Sequence, residues 1–116
     1  MSRILLVPCL LALAAAFAAA PAVAKVEGTT SVTVNMTEFK FALSKKVVPR
    51  GIVVFGVVNR GQIIHDFEIS GKKTPFYEAG KSGVLRVMFK KPGRYSFICT
   101  VPAHADLGMK GVLRVL

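Results

Sequence analysis

The stretch Tyr95-Ser-Phe-Ile-Cys99-Thr-Val-Pro102-Ala-His104-Ala-Asp-Leu-Gly108-Met109-Lys-Gly111 carries a thiol, an imidazole and a thioether in the pattern C-x4-H-x4-M. Tyr95, Phe97 and Cys99 fall on alternate positions of a short β-like run, so the sulfur points the same way as two aromatic rings, at a core-facing strand end. Pro102 and Gly108 favour a loop around the two later donors and oppose a helix. One compact loop can therefore bring Cys99, His104 and Met109 to a single point.

Thiolate and thioether sulfurs combined with imidazole suit copper better than calcium or magnesium, which prefer oxygen. A trigonal His2Cys set with a weak axial Met describes a blue-copper electron-transfer site. The loop lacks one imidazole, and the chain's only other histidine is His65, in Gly61-Gln-Ile-Ile-His65-Asp-Phe-Glu-Ile69 at the start of another strand-like run. With His65, Cys99, His104 and Met109 the chain resembles the cupredoxins, the family of plastocyanin and azurin, in which one upstream His joins a Cys, a His and a Met on a C-terminal loop. The likeness covers most of the chain after its N-terminal segment. It implies one type 1 copper per chain, a two-sheet Greek-key sandwich, and electron exit through His104. Each residue alone has an ordinary reading: a buried small hydrophobe for Cys99, a satisfied polar group for either histidine, core filler for Met109. Their joint order on one loop before a final strand outweighs those readings. Cys and His also bind zinc, which leaves the identity of the metal more open than the existence of the site.

Residues 1–24 read as a secretory signal peptide. Arg3 supplies the positive start, Ile4 to Ala20 an apolar run broken by Pro8, and Ala22-Val23-Ala24 a small-x-small cleavage pattern, with cleavage expected after Ala24. A retained membrane anchor is the weaker reading of an alanine-rich run of this length. Pro8 stands where a lipoprotein signal before Cys9 wants a small residue. The remaining 92 residues, 25–116, suffice for one domain. Export to the periplasm or another outside compartment would leave Cys99 as the sole cysteine, so no intramolecular disulfide is open to it and a ligand role accounts for it.

After Ala24 no sustained helical periodicity occurs, and short runs of Val, Ile, Phe and Thr alternate with Gly, Pro and Asn, as in an all-β sandwich or barrel. Strands are expected over Thr30–Met36, with Val32, Val34 and Met36 on the core face, over Glu38–Leu43, at Val47-Val48, over Ile52–Val58 as a central strand covered on both faces, and over Val84–Lys90, Tyr95–Cys99 and Val112–Leu116. Asn59-Arg60-Gly61 is a turn leading to His65. Ser70–Gly83 reads as a surface excursion in which Phe76 and Tyr77 cap the core or begin a single helical turn. Met36 and Met88 are expected to be packing residues.

One departure from the plastocyanin and azurin pattern follows His65, where Asn is frequent and this chain has Asp66. An ionised Asp only accepts hydrogen bonds, whereas Asn both donates and accepts. A negative Asp66 would favour oxidised copper, partial burial would keep it protonated, and a turn-stabilising or solvated carboxylate is the plain alternative.

The chain has 16 Lys and Arg against 6 Asp and Glu. Loss of residues 1–24 removes only Arg3 from that count, leaving 15 against 6 and a formal charge of +9. Such a charge serves solubility and edge protection, and it suits an acidic redox protein or the surface of anionic lipid. Nucleic acid is not expected as a partner of an exported chain with no base-stacking motif. The expected function is that of a monomeric carrier of single electrons, not an enzyme. A periplasmic copper chaperone, storage or resistance protein is the alternative. A nitrite reductase or multicopper oxidase would need further histidine-bound copper, and both histidines are already used.

Overall fold

The computed structural model describes residues 12–16 and 28–116. The expected signal peptide, residues 1–24, lies outside the described residues except for 12–16. Nine strands follow in chain order: β1 (Thr29–Thr37), β2 (Lys40–Leu43), β3 (Val47–Val48), β4 (Gly51–Asn59), β5 (Glu68–Ile69), β6 (Lys72–Lys73), β7 (Ser82–Phe89), β8 (Gly93–Ile98) and β9 (Lys110–Val115). They form a four-stranded sheet in the order β2-β1-β4-β7 and a five-stranded sheet in the order β3-β9-β8-β5-β6, with no helix among the described residues. The all-β Greek-key sandwich read from the sequence is the observed fold.

Period-two alternation builds this sandwich. On β1, Val32, Val34 and Met36 are buried, and on β4 so are Val53, Phe55 and Val57. The two strands run parallel in a register from Thr29 opposite Ile52 to Met36 opposite Asn59, which aligns their apolar faces. β4 also pairs antiparallel with β7 and is central, as expected. Its second face is only half-buried, however, and Val84 and Met88 beside it on β7 are 68% and 51% exposed. The apolar run thus reflects a central position within one sheet and not a covering layer on both sides. Met88 lies on the outer face of an edge strand and is not a packing residue, whereas Met36 is fully buried.

Two further expectations change. Glu38 and Phe39 do not begin a strand; they form the turn between β1 and β2, with Phe39 at φ 62°. Ser70–Gly83 is more than a surface excursion, since it holds β6, the buried Thr74, and Tyr77, which makes an antiparallel bridge with His65. Tyr77 packs against the core, no helical turn forms, and Phe76 stays 49% exposed beneath the Lys73 ammonium.

Under the upper end of the sandwich lies an aromatic cluster. The Phe67 ring centroid is 5.4 Å from Phe41, 5.2 Å from Phe55 and 5.5 Å from Phe97. β2 brings Phe41, the segment before β5 brings Phe67 and β8 brings Phe97, so the three arms that also carry Phe39, His65 and Cys99 meet in one core. Truncating Phe67 to Ala would cost about 3–5 kcal/mol and loosen all three.

Candidate metal centre

Four segments converge at this end. β8 delivers Cys99, and the Cys99 N–H donates to the Met109 carbonyl at 3.1 Å, which closes the loop that began at Thr100. Inside that loop the His104 N–H donates to the Val101 carbonyl at 3.1 Å and the Met109 N–H donates to the His104 carbonyl at 3.0 Å. Gly108 sits at φ 111°, a left-handed conformation that a side chain opposes, and Ala103 adopts φ 72°. These bonds tie the backbones of the three loop residues to one another.

His65 arrives from the other side. Its N–H donates to the Tyr77 carbonyl at 3.1 Å, and the Tyr77 N–H returns to the His65 carbonyl at 2.8 Å. Asn59, fully buried, donates through Nδ2 to the carbonyls of Ile63 at 2.8 Å and Tyr77 at 2.7 Å, and accepts the Gly61 N–H at 2.9 Å. One amide thus holds both segments of the His65–Tyr77 bridge.

The result is a triangle of donor atoms. His65 Nδ1 and His104 Nδ1 lie 3.2 Å apart, and Cys99 Sγ is 3.5 Å from the latter and 3.9 Å from the former. The centre of that triangle is about 2.1 Å from each corner, close to the roughly 2.0–2.1 Å of a metal–nitrogen bond and 2.3 Å of a metal–sulfur bond to a first-row ion. His65, Cys99 and His104 are the one metal-binding cluster of this kind among the described residues. His65 and Met109 are 0% exposed, Cys99 1% and His104 7%, so His104 alone reaches toward solvent. All four residues singled out in the sequence therefore belong to one loop-and-strand assembly, Met109 through its backbone bonds to both loop partners.

Burial sets the electrostatics. Desolvation pushes the Cys99 thiol above its ordinary 9.0 and, with the neighbouring His65, holds His104 below 6.5. In the absence of an ion the site is thus composed of a thiol and an uncharged His104 imidazole, and a cation entering it exchanges for the thiol proton.

Of the residues around the donors, the sequence singled out Asp66 but neither Glu38 nor Phe39. Glu38 Oε1 lies 3.1 Å from His65 Nε2. The Phe39 ring meets His104 edge-on at 5.1 Å between centroids. Asp66 is fully buried, and accepts the Thr100 N–H at 2.6 Å, the Thr100 hydroxyl at 2.5 Å and the Lys73 ammonium at 3.3 Å. It is neither solvated nor at a turn tip; it joins the segment after His65 to the segment after Cys99. The available signal was the scarcity of acids: two of only six in the chain, Glu38 and Asp66, stand at this site.

A family model for the cupredoxin-like domain matches residues 8–115, and the chain belongs to that family. Auracyanin-B of Chloroflexus aurantiacus is 45% identical over 42 residues, a match that covers 36% of this chain and 18% of that protein. The chain therefore spans under a fifth of the length of that relative. Among solved structures, sodium-dithionite-reduced auracyanin from the photosynthetic bacterium Roseiflexus castenholzii aligns with a TM-score of 0.68 at 22% identity, covering 75% of this chain and 97% of that one. A multicopper oxidase aligns with a TM-score of 0.63 at 17% identity, covering 75% of this chain and 44% of that one. These structural likenesses concern the fold. With a cupredoxin fold and two imidazoles, a thiol and a thioether gathered at its loop end, the cofactor is a type 1 copper.

Proposed function

We propose that this chain is an exported electron carrier in which His65, Cys99, His104 and Met109 would together hold one copper. The observation that supports it best is the closed triangle of buried donors, sized for one first-row ion. A bound copper would supply a one-electron couple between Cu(II) and Cu(I). Around it the chain would keep similar donor positions in both states, because the backbone bonds among Cys99, His104 and Met109 and the Asn59 and Tyr77 clasp on His65 do not depend on the charge of the ion. The cluster uses both histidines of the chain, which disfavours an enzyme with further histidine-bound copper.

Exit through His104 fits its surroundings. Pro102, Ala103 and Leu107 are exposed and Ala105 is half-buried, with the exposed Asp106 the one charged side chain among residues 102–108, so a partner that leaves Asp106 in water can approach the imidazole edge over small and apolar side chains. Exposed Lys110 stands beside Met109, and the basic surface would steer an acidic redox protein. Copper chaperoning or storage is disfavoured, because ligands that exchange metal are commonly exposed and these are buried.

The test is the visible spectrum of the purified protein after copper addition, followed by a redox titration. One copper per chain, an intense band that Cys99→Ser abolishes, and a reversible one-electron couple are expected. An equally strong band in Cys99→Ser refutes the ligand assignment. No reversible couple, with rapid loss of copper to a weak chelator, would make this a copper-handling protein instead.

A further inference from the structure

The turn between β1 and β2 reaches the site with a carboxylate. Glu38 Oε1 accepts the Gln62 N–H at 2.7 Å and the Ile63 N–H at 3.1 Å, and lies 3.1 Å from His65 Nε2. His65 Nδ1 faces the other donors, so its lone pair is needed there; the ring proton then sits on Nε2 and is donated to Glu38. The two backbone donors and the His65 ring all converge on that one oxygen. Asp66, the other acid at the site, is instead compensated by Lys73.

We infer that Glu38 is a positioning residue that forms a carboxylate–histidine–copper relay through His65, fixes that ring's tautomer, raises the basicity of Nδ1 and so biases the site toward Cu(II). This rests on the proposed role of His65 as a ligand. The physical reason is that a carboxylate accepting the remote N–H of an imidazole places negative charge on the ring, and such partners commonly alter metal affinity by about 10–100-fold. Cu(II), the more charged ion, gains more from that charge than Cu(I). The contact also joins two segments distant in sequence, the β1–β2 turn and residues 62–65, so the ring is held by the same group that fixes the Gln62 and Ile63 backbone.

Glu38→Gln separates the charge from the geometry, because the amide oxygen can still accept all three donors. Gly61→Ala does the converse: a Cβ at Gly61 would strike the Glu38 carboxylate, displacing it while leaving its charge in the chain. Glu78→Gln, at an exposed position in sequence next to Tyr77, removes the same net charge from elsewhere. The experiment compares the visible band, Cu(II) affinity and midpoint potential of the copper-loaded variants with wild type. Glu38→Gln should keep the band and lose Cu(II) affinity about tenfold relative to Cu(I), read as a potential higher by about 59 mV. Gly61→Ala should move it the same way and Glu78→Gln much less. An unmoved potential in Glu38→Gln with the band intact, or an equal rise in Glu78→Gln, overturns the relay while leaving the copper site standing. If Glu38→Gln does not fold, Gly61→Ala decides by the same criterion. If wild type shows no such band, the ligand reading fails and the relay fails with it.

Discussion

Asp66→Ala should be among the most destabilising single changes outside the apolar core. The substitution removes a fully buried acceptor and leaves the Thr100 N–H and hydroxyl and the Lys73 ammonium without it. Hydrogen bonds to a charged acceptor are worth about 1.5–3 kcal/mol each, and the pair with the 44% exposed Lys73 adds about 1 kcal/mol or less. These overlap at Asp66, so a loss of about 3–5 kcal/mol is expected. At about 4–8 °C per kcal/mol for a domain of this size, Tm falls by at least about 12 °C. Asp66→Asn should behave differently: its oxygen can take the Thr100 N–H and its amide can donate to the Thr100 hydroxyl. It forfeits only the attraction to Lys73, whose side chain is 44% exposed, which is worth about 1 kcal/mol or less. The assay is thermal and urea unfolding of the copper-free protein, so that no binding energy enters the comparison. A double-mutant cycle with Thr100→Val should return a coupling of about 0.5–3 kcal/mol. Equal stabilities for Asp66→Ala and Asp66→Asn, or zero coupling to Thr100, would refute the view that this carboxylate joins the two ligand-bearing segments.

Met109→Leu should keep a copper site and raise its potential, by roughly 59 mV for each tenfold of Cu(II) preference lost, while Met36→Leu and Met88→Leu leave it in place; the reverse pattern would reassign the axial ligand. Copper uptake should release a proton from Cys99, so Cu(II) affinity measured by competition should rise about tenfold per pH unit near neutrality. The copper-free fold should lose stability above pH 9.0, where the raised Cys99 thiol favours the folded state only while protonated. It should also lose stability below 6.5, where the depressed His104 value makes the unfolded chain the better proton acceptor, and again from 4.5 toward about 2 through Glu38; denaturant midpoints across pH would check each window. Oxidation by an acidic redox protein should slow as ionic strength rises, since screening acts over roughly 8 Å at physiological salt, and Ala105→Asp should slow it with the spectrum intact; a basic partner reacting as fast at low salt would remove His104's rim as the docking face.

The metal donors were legible in the sequence for a reason that does not extend to what holds them. Cys99, His104 and Met109 lie within eleven residues, so their convergence is a local property of one loop, and His65 followed because no other histidine existed to complete the set. Strand alternation made the core of β1 and the facing of Phe97 and Cys99 equally readable, since period two is written residue by residue. What was hidden is non-local. Glu38 stands 27 residues before His65, Asp66 34 before Thr100, and Asn59 18 before Tyr77, and no pattern along the chain announces those meetings. The misreading of Glu38-Phe39 as strand shows the mechanism of the failure: Phe39 and Phe41 are spaced as on a strand, but the chain turns at φ 62° on Phe39, which sends that ring to His104 while Phe41 stays with the core. The same turn carries the carboxylate to His65, so one hairpin contacts both histidines. A left-handed phenylalanine is costly, and it persists only where surrounding contacts hold it. Here the turn is held by the Phe39 ring against His104 and by the Glu38 carboxylate on His65 and on the Gln62 and Ile63 N–H groups, so the strained turn and the metal centre stabilise one another, and loosening either should be felt at both.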